Sequence, residues 1–259
     1  MKNYFKNYFK RIFSQVKKSE LIYWWILRGL MIYALIDTII NGKDYSGSNP
    51  PIQIAANLVG MFAYEIIQFF PENSNFRRMS PRFQNITALG FFLGSFGGAY
   101  MNLYYSLPMY DKILHATGTA EGVYIGYEYT CAMQLKHKKE CPPQIITLCG
   151  LGFGFVLASG WELFEFIYDQ FFGGDAQHWN IQNAIDEAGG VEKIFSMFKF
   201  DDLDLFIQRF PLMDTMSDVV MNFIGGMIMF AILYFFPYRH RGKNDINRQI
   251  REMNSQAVN

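Results

Sequence analysis

Trp161-Glu162-Leu163-Phe164-Glu165-Phe166-Ile167-Tyr168-Asp169 closes an apolar run that begins near Ile145. A run of that length reads as a transmembrane helix, which puts three carboxylates at the end of a membrane span. Glu162, Glu165 and Asp169 are spaced i, i+3, i+7 and therefore share one helical face. A carboxylate in or near hydrocarbon is costly unless it meets a partner, a cation or water, so such residues read by default as a functional site.

Outward from that stretch the chain is organised for a bilayer. Of its 259 residues 51% are hydrophobic and 18% aromatic, a balance that suits lipid-facing and interfacial positions. Apolar length predicts six spans, at 21–40, 52–70, 86–107, 113–133, 144–168 and 214–236. The expected fold class is all-α, a polytopic transmembrane helical bundle. Gly47-Ser48-Asn49-Pro50-Pro51, then Pro71 and Pro81, then Pro142-Pro143 punctuate the connections. Gly94, Gly97 and Gly98 in the third span, and Gly150, Gly152 and Gly154 in the fifth, suit close helix packing.

Three regions flank or interrupt the membrane domain, 21–236. Residues 1–20 alternate lysines and arginine with aromatic residues at a spacing near four, which predicts an amphipathic interfacial arm and no cleaved signal peptide. Residues 237–259 form a basic tail. The stretch 170–213 is acidic and carries several Phe and Leu residues, so it reads as an outer cap, either a lid or a connector. Lys and Arg fix the orientation: seventeen fall in the two ends and the 71–85 and 134–143 loops, against five on the other side. That asymmetry puts both termini in the cytoplasm of a multi-pass cell-membrane protein. Cys131, Cys141 and Cys149 then lie on the reducing side as inert thiols. No nucleic-acid signature is present.

With that topology, polar residues from several spans fall in the outer third of the membrane. Asp214, Asp218 and Asn222 are spaced i, i+4, i+8 and Asp111 and His115 i, i+4, with Asp37 and Asn57 at similar depth. An imidazole among carboxylates offers mixed nitrogen and oxygen ligands, suited to Zn, Mn or Fe, or to Mg or Ca with the histidine outside the inner ligand set. The candidate ligands are His115, Glu162, Glu165, Asp169, Asp214 and Asp218, with Glu162, Glu165, Asp218 and His115 as the acid/base or catalytic groups and Asn222 and Asp111 orienting them. Simpler roles stand beside these. His115 can be a satisfied structural histidine, Asp214 and Asp111 can be N-caps, and Asp169 can be a wetted helix end. Without a metal, crowded carboxylates share protons, as a proton relay would use. Arg28, Glu65 and Glu128 make a second polar layer nearer the inner side, read as a structural ion pair. Glu121 lies between the two layers.

The motifs Asp111-Lys112-x-x-His115-x-x-Gly118, Trp161-Glu162-x-x-Glu165-x-x-x-Asp169 and Asp214-x-x-x-Asp218-x-x-x-Asn222-x-x-Gly225 resemble the YjdF-like family of bacterial inner-membrane proteins. More distantly they are similar to VanZ-like proteins, which share the Asp-Lys-x-x-His start and the Asp…Asn-x-x-Gly finish. The resemblance covers spans three to six, about half the chain. It implies a polytopic membrane protein and brings no settled activity; VanZ-like members are linked to glycopeptide tolerance through the cell envelope. The chain departs from the VanZ-like pattern in its long N-terminal part and its 170–213 cap. The residues point first to a membrane protein with an outward-facing carboxylate/His site, holding a divalent metal and acting on an amphiphilic envelope or lipid substrate. The alternatives are an ion- or proton-coupled transporter and a non-catalytic membrane scaffold. No nucleophilic Ser or Cys motif is present, and inverted repeats are not visible.

Overall fold

Apolar residues that recur every three to four positions dictate helices. The computed structural model contains only helical regular structure among the residues it describes: 2–42, 50–107, 109–172, 176–177, 185, 190–192, 195 and 202–256. In chain order these are α1 (Lys2–Gln15), α2 (Lys18–Asn41), α3 (Pro50–Gly60), α4 (Ala63–Ile67), α5 (Arg82–Phe92), a π-helical segment (Leu93–Tyr100), α6 (Leu103–Ser106), α7 (Tyr110–His137), α8 (Pro143–Phe172), α9 (Leu203–Phe235) and α10 (Ile246–Gln256). Most of the expected 170–213 cap lies outside the described residues; its last part, 203–213, continues α9.

Three stretches are long and apolar enough to cross a bilayer: Lys18–Asn41, Pro143–Phe171 and Leu212–His240. Their outer faces show the solvent they are made for. Helix α2 buries Trp24, Leu27, Arg28, Met31, Ala34 and Thr38, one stripe at helical spacing, while Ile22, Ile26, Ile36, Ile39 and Ile40 are exposed. Polar side chains point in and isoleucines point out, the reverse of a helix built for water. Val156, Phe164 and Phe171 of α8 and Val220, Phe223 and Ile228 of α9 are exposed in the same way. The protein is therefore a helical membrane protein whose surroundings are lipid.

Helix α7 is 28 residues long, about 42 Å at 1.5 Å per residue. It buries Lys112, His115, Thr119, Glu128 and Gln134. A helix can carry that polarity only with protein on most sides, and α7 packs against α5, α8 and α9. Glycines permit the approach. A Cβ on Gly150 would lie 2.7 Å from the Val123 carbonyl, one on Gly122 would lie 3.0 Å from the Gly154 Cα, and one on Gly225 would collide with the Ala116 carbonyl. Pairings of 112 with 214 and of 119 with 222 make α9 parallel to α7, while Gly150 beside Tyr127 and Gly154 beside Thr119 make α8 antiparallel to it.

The second and third predicted spans are not continuous helices. The second breaks at Met61-Phe62, between α3 and α4. The Met61 carbonyl instead accepts from Arg28 Nε (3.1 Å), Arg28 Nη2 (2.6 Å) and Gln84 Nε2 (2.5 Å), and Gln84 Oε1 accepts the Tyr64 N–H at 2.7 Å. Backbone freed from a helix at membrane depth has to find partners inside the protein, and these side chains supply them. Arg28 is fully buried, lies 2.8 Å from Glu65, and stacks 3.9 Å over Phe62. Glu128 lies elsewhere: it accepts the Ser80 N–H at 3.2 Å. The third span widens into the π-helical segment, whose Leu93 carbonyl takes the Tyr110 hydroxyl at 2.8 Å, and ends at Met101 before Asn102 in the left-handed region. Tyr110 thus anchors the start of α7 to its neighbour.

The two terminal helices join one apolar cluster. Tyr8, Ile12 and Val16 of the arm are buried together with Trp24, Tyr127, Ile246 and Ile250. Tyr8 donates to the Glu65 carbonyl at 2.9 Å, and Arg11 to the Gln68 carbonyl at 2.8 Å, so the arm docks on protein as well as presenting exposed Phe9 and Phe13 outward. At the far end of α7, His240 sits between Tyr127 and Gln134, each at 3.1 Å, and Gln134 bonds Asn247. The three cysteines are free thiols.

Gly225→Ala is expected to lower stability in detergent by about 1–3 kcal/mol, because the intruded group is backbone. Gly152→Ala, with open space around it, is expected to change little. Equal melting temperatures would contradict the close approach of α9 to α7. Arg28→Met is expected to cost about 3–5 kcal/mol by stranding Glu65. Combined with Glu65→Leu it should cost less than the two changes summed; additive melting shifts would mean that this pair does not join α2 to α4.

Candidate functional site

Three helices supply the site, each through one face. Helix α7 contributes Asp111, Lys112, His115 and Thr119, α8 contributes Glu162 and Glu165, and α9 contributes Asp214, Asp218 and Asn222. The parallel run of α7 and α9 matches their rows turn by turn, and the glycine contacts below hold the backbones close.

The layer nearest the start of α7 is an ion cluster. Lys112 Nζ lies 2.5 Å from Asp214 Oδ1, 2.9 Å from Asp218 Oδ2 and 3.2 Å from Asp111 Oδ2. The lysine side chain is 5% exposed, and those of Asp214 and Asp218 are 6% and 2% exposed. The middle layer is centred on His115. Its Nδ1 lies 3.3 Å from Glu162 Oε1, and its Nε2 lies 3.6 Å from Asp218 Oδ1 and 3.7 Å from Asp111 Oδ1. Glu165 brings an oxygen within 4.8 Å of both Glu162 and His115 ligand atoms, and Asp111, His115 and Asp218 form a second group of the same kind. Beneath them Thr119 donates to Asn222 Oδ1 at 2.7 Å, and Asn222 Nδ2 donates to Glu162 Oε1 at 3.1 Å.

Two oxygens in this network stand out. Glu162 Oε2 and Asp218 Oδ1 are buried and accept no hydrogen bond. Their carboxylates face different ring nitrogens of His115, Glu162 the Nδ1 and Asp218 the Nε2. Among the described residues, five carboxylates, Asp111, Glu162, Glu165, Asp214 and Asp218, face one ammonium and one imidazole. Negative charge in a largely buried setting calls for cations or protons.

The remaining predicted residues have other surroundings. Asp169, one turn beyond Glu165, accepts the backbone N–H of Ala176 at 2.7 Å and of Gln177 at 2.8 Å, closing the end of α8. Asp37 accepts from the Tyr100 hydroxyl at 2.7 Å, and Asn57 donates to Ser95 at 2.6 Å, so neither joins the three-helix cluster. Glu121 lays its carboxylate against Gly90 of α5. Arg28 and Glu65 meet at the break in the second span, apart from Glu128.

Reading spacing alone assigned no role to Lys112, Thr119 or Trp161. Lys112 was visible only as one of five outer positive charges, although it stands three residues before His115 and so shares its face. Trp161 is exposed and donates its indole N–H to Glu165 Oε1 at 2.6 Å, so Glu165 sits at the border between the cluster and lipid.

No curated protein and no solved structure is significantly similar to the chain. A family model described as "Predicted membrane protein (DUF2238)" matches residues 22–239, a stretch that holds every residue of the site. The chain belongs to this DUF2238 family of membrane proteins.

Proposed function

We propose that this is a six-span, YjdF-like protein of the cell membrane with both termini cytoplasmic. His115, Glu162 and Glu165 hold a divalent cation near the outer face, for chemistry on an amphiphilic envelope or lipid substrate. One observation carries the reading: each ring nitrogen of His115 faces a carboxylate, Glu162 or Asp218, that keeps one buried oxygen without a hydrogen bond. Leaving such an oxygen unpaired costs free energy that a bound cation removes. The mixed donor set suits Zn, Mn or Fe. One ring nitrogen serves the ion, and the other N–H is oriented by the carboxylate opposite, here Asp218 with Asp111. Asn222, itself fixed by Thr119, holds Glu162 in place. A cation in this position would activate water or polarise an ester or phosphoryl oxygen, with Asp218 as the proton acceptor or donor.

Support for the orientation comes from the distance between the two ends of α7. Gln134, bonded to Asn247 of the basic tail, is nineteen residues from His115, about 28 Å of helix. That is close to the thickness of a hydrocarbon core, about 30 Å. Support for an amphiphilic substrate comes from Trp161, which faces lipid while bonded to Glu165.

Titration of the purified protein with Zn2+ and Mn2+, with metal analysis, tests the proposal. The expected result is one ion per chain, with Glu162→Gln and Glu165→Gln weakening it by at least about 10-fold. Undiminished binding in folded variants would reject these ligands. A second reading, an ion-coupled carrier, is favoured by the broken second span, since discontinuous helices recur in carriers. Proton or cation flux in liposomes, lost in Asp218→Asn, would support it over the enzyme. Absence of metal and flux, with collapse of the fold in both Glu162→Gln and Asp218→Asn, would leave the scaffold.

A further inference from the structure

Helix α1 carries Lys2, Lys6, Lys10 and Arg11 and no carboxylate. Where it docks on the connection after α4, a cavity of about 440 Å³ remains between the two. Asn7 and Arg11 line it from the helix, and Phe70, Glu72 and Arg77 line it from the connection. Both guanidiniums are held in place. Arg11 gives Nε to Gln68 Oε1 at 3.1 Å and Nη2 to the Gln68 carbonyl at 2.8 Å, and Gln68 is fully buried. Arg77 gives Nη1 to the Phe70 carbonyl at 3.3 Å and Nη2 to Glu72 Oε1 at 2.9 Å. Arg11 Nη1 and Arg77 Nε have no acceptor among the described residues. Phe9 and Phe13 of α1, and Phe70 and Phe76 of the connection, are exposed. Aromatic side chains at the end of an apolar span mark the level of lipid headgroups. The connection packs on α7 through Phe76 and Tyr129, with ring centroids 4.9 Å apart. Tyr129 is fourteen residues from His115, about 21 Å of helix, so the cavity is separate from the His115 site.

We infer that this cavity holds the headgroup of an anionic phospholipid, with its phosphodiester between Arg11 and Arg77. Three features argue for it. The first is donor type: a planar guanidinium matches phosphate oxygens in charge and in spacing. The second is charge balance. The carboxylate in the lining, Glu72, has a side chain 88% exposed and is screened by water, whereas that of Arg77 is 13% exposed. Two guanidiniums against one screened carboxylate leave the cavity positive. The third is preparation. Arg11 is fixed by a buried residue and Arg77 by its own connection, so a ligand does not have to order two long side chains. The volume suits a phosphate with its glycerol. The acyl chains would run past the exposed phenylalanines into lipid, which is what separates a lipid from a free phosphate as the occupant. The inference is independent of the metal reading.

Titration of the full chain in neutral detergent with dioctanoyl phosphatidylglycerol, bound lipid being counted by native mass spectrometry, tests this. The expected result is one saturable site, weakened at least about tenfold by Arg77→Gln. Asn7→Trp, which fills the cavity and keeps both arginines, should weaken it as much. Lys10→Gln removes a charge from an exposed position of α1 outside the lining and should leave the affinity unchanged. Equal weakening by Lys10→Gln and Arg77→Gln would mean diffuse attraction to a basic surface and would overturn the proposal. Lipid that stays bound in both cavity variants sits elsewhere and would overturn it too. If Arg77→Gln folds poorly, Asn7→Trp decides by itself. Dioctanoyl phosphatidylcholine and inorganic phosphate should each bind more weakly than the anionic lipid. Parity of phosphatidylcholine would remove the selectivity for an anionic headgroup, and parity of phosphate would give the cavity to a soluble anion; either result rejects the proposal.

Discussion

A single ammonium in a nearly dry setting holds the working half of this molecule together. Lys112 joins α7 to α9 through Asp214 and Asp218. Attraction between charges is strong where water is scarce, but stripping water from three charged groups offsets much of it. The net effect on stability is therefore smaller than the contacts suggest. Register is the larger consequence. With Lys112 set between Asp214 and Asp218, Asp218 faces His115, Asn222 faces Thr119, and Gly225 seats against Ala116. A slip of one residue would rotate the whole α9 row by about 100° and send its carboxylates into lipid.

Below that polar layer the helices meet through glycine. Gly122, Gly150 and Gly154 bring α7 and α8 into near-backbone contact. Attraction between apolar faces does not assemble helices in lipid, because lipid tails are equally apolar; close packing and internal polar contacts do. The same logic governs the half built on α2 to α5. There the break in the second span exposes a carbonyl that Arg28 and Gln84 capture, and the guanidinium also pairs with Glu65. A helix interruption and a buried charge, each costly alone, satisfy one another.

Much of the site was legible in spacing. The rows Glu162/Glu165, Asp111/His115 and Asp214/Asp218/Asn222 each fall on one face by helical period, and the three faces do converge. Depth was a weaker guide. Asp37 and Asn57 lie at suitable depth by residue count but bond to Tyr100 and Ser95, because depth says nothing about how a helix is rotated. Lys112 escaped because a positive charge outside the membrane is ordinary; its meaning depends on the two aspartates about a hundred residues later that close around it.

Sequence by itself determined that the chain is helical, that it belongs in a bilayer, and which side chains share a face, since these follow from the period and length of apolar runs. Tertiary structure decided which faces meet, that the second and third spans are interrupted, and that Asp214 serves Lys112 while Asp169 closes the end of α8. The reason is physical. Periodicity is local to one helix, whereas the partner of a buried charge, or of a carbonyl freed by a break, is chosen by rotation and register between helices far apart in the chain.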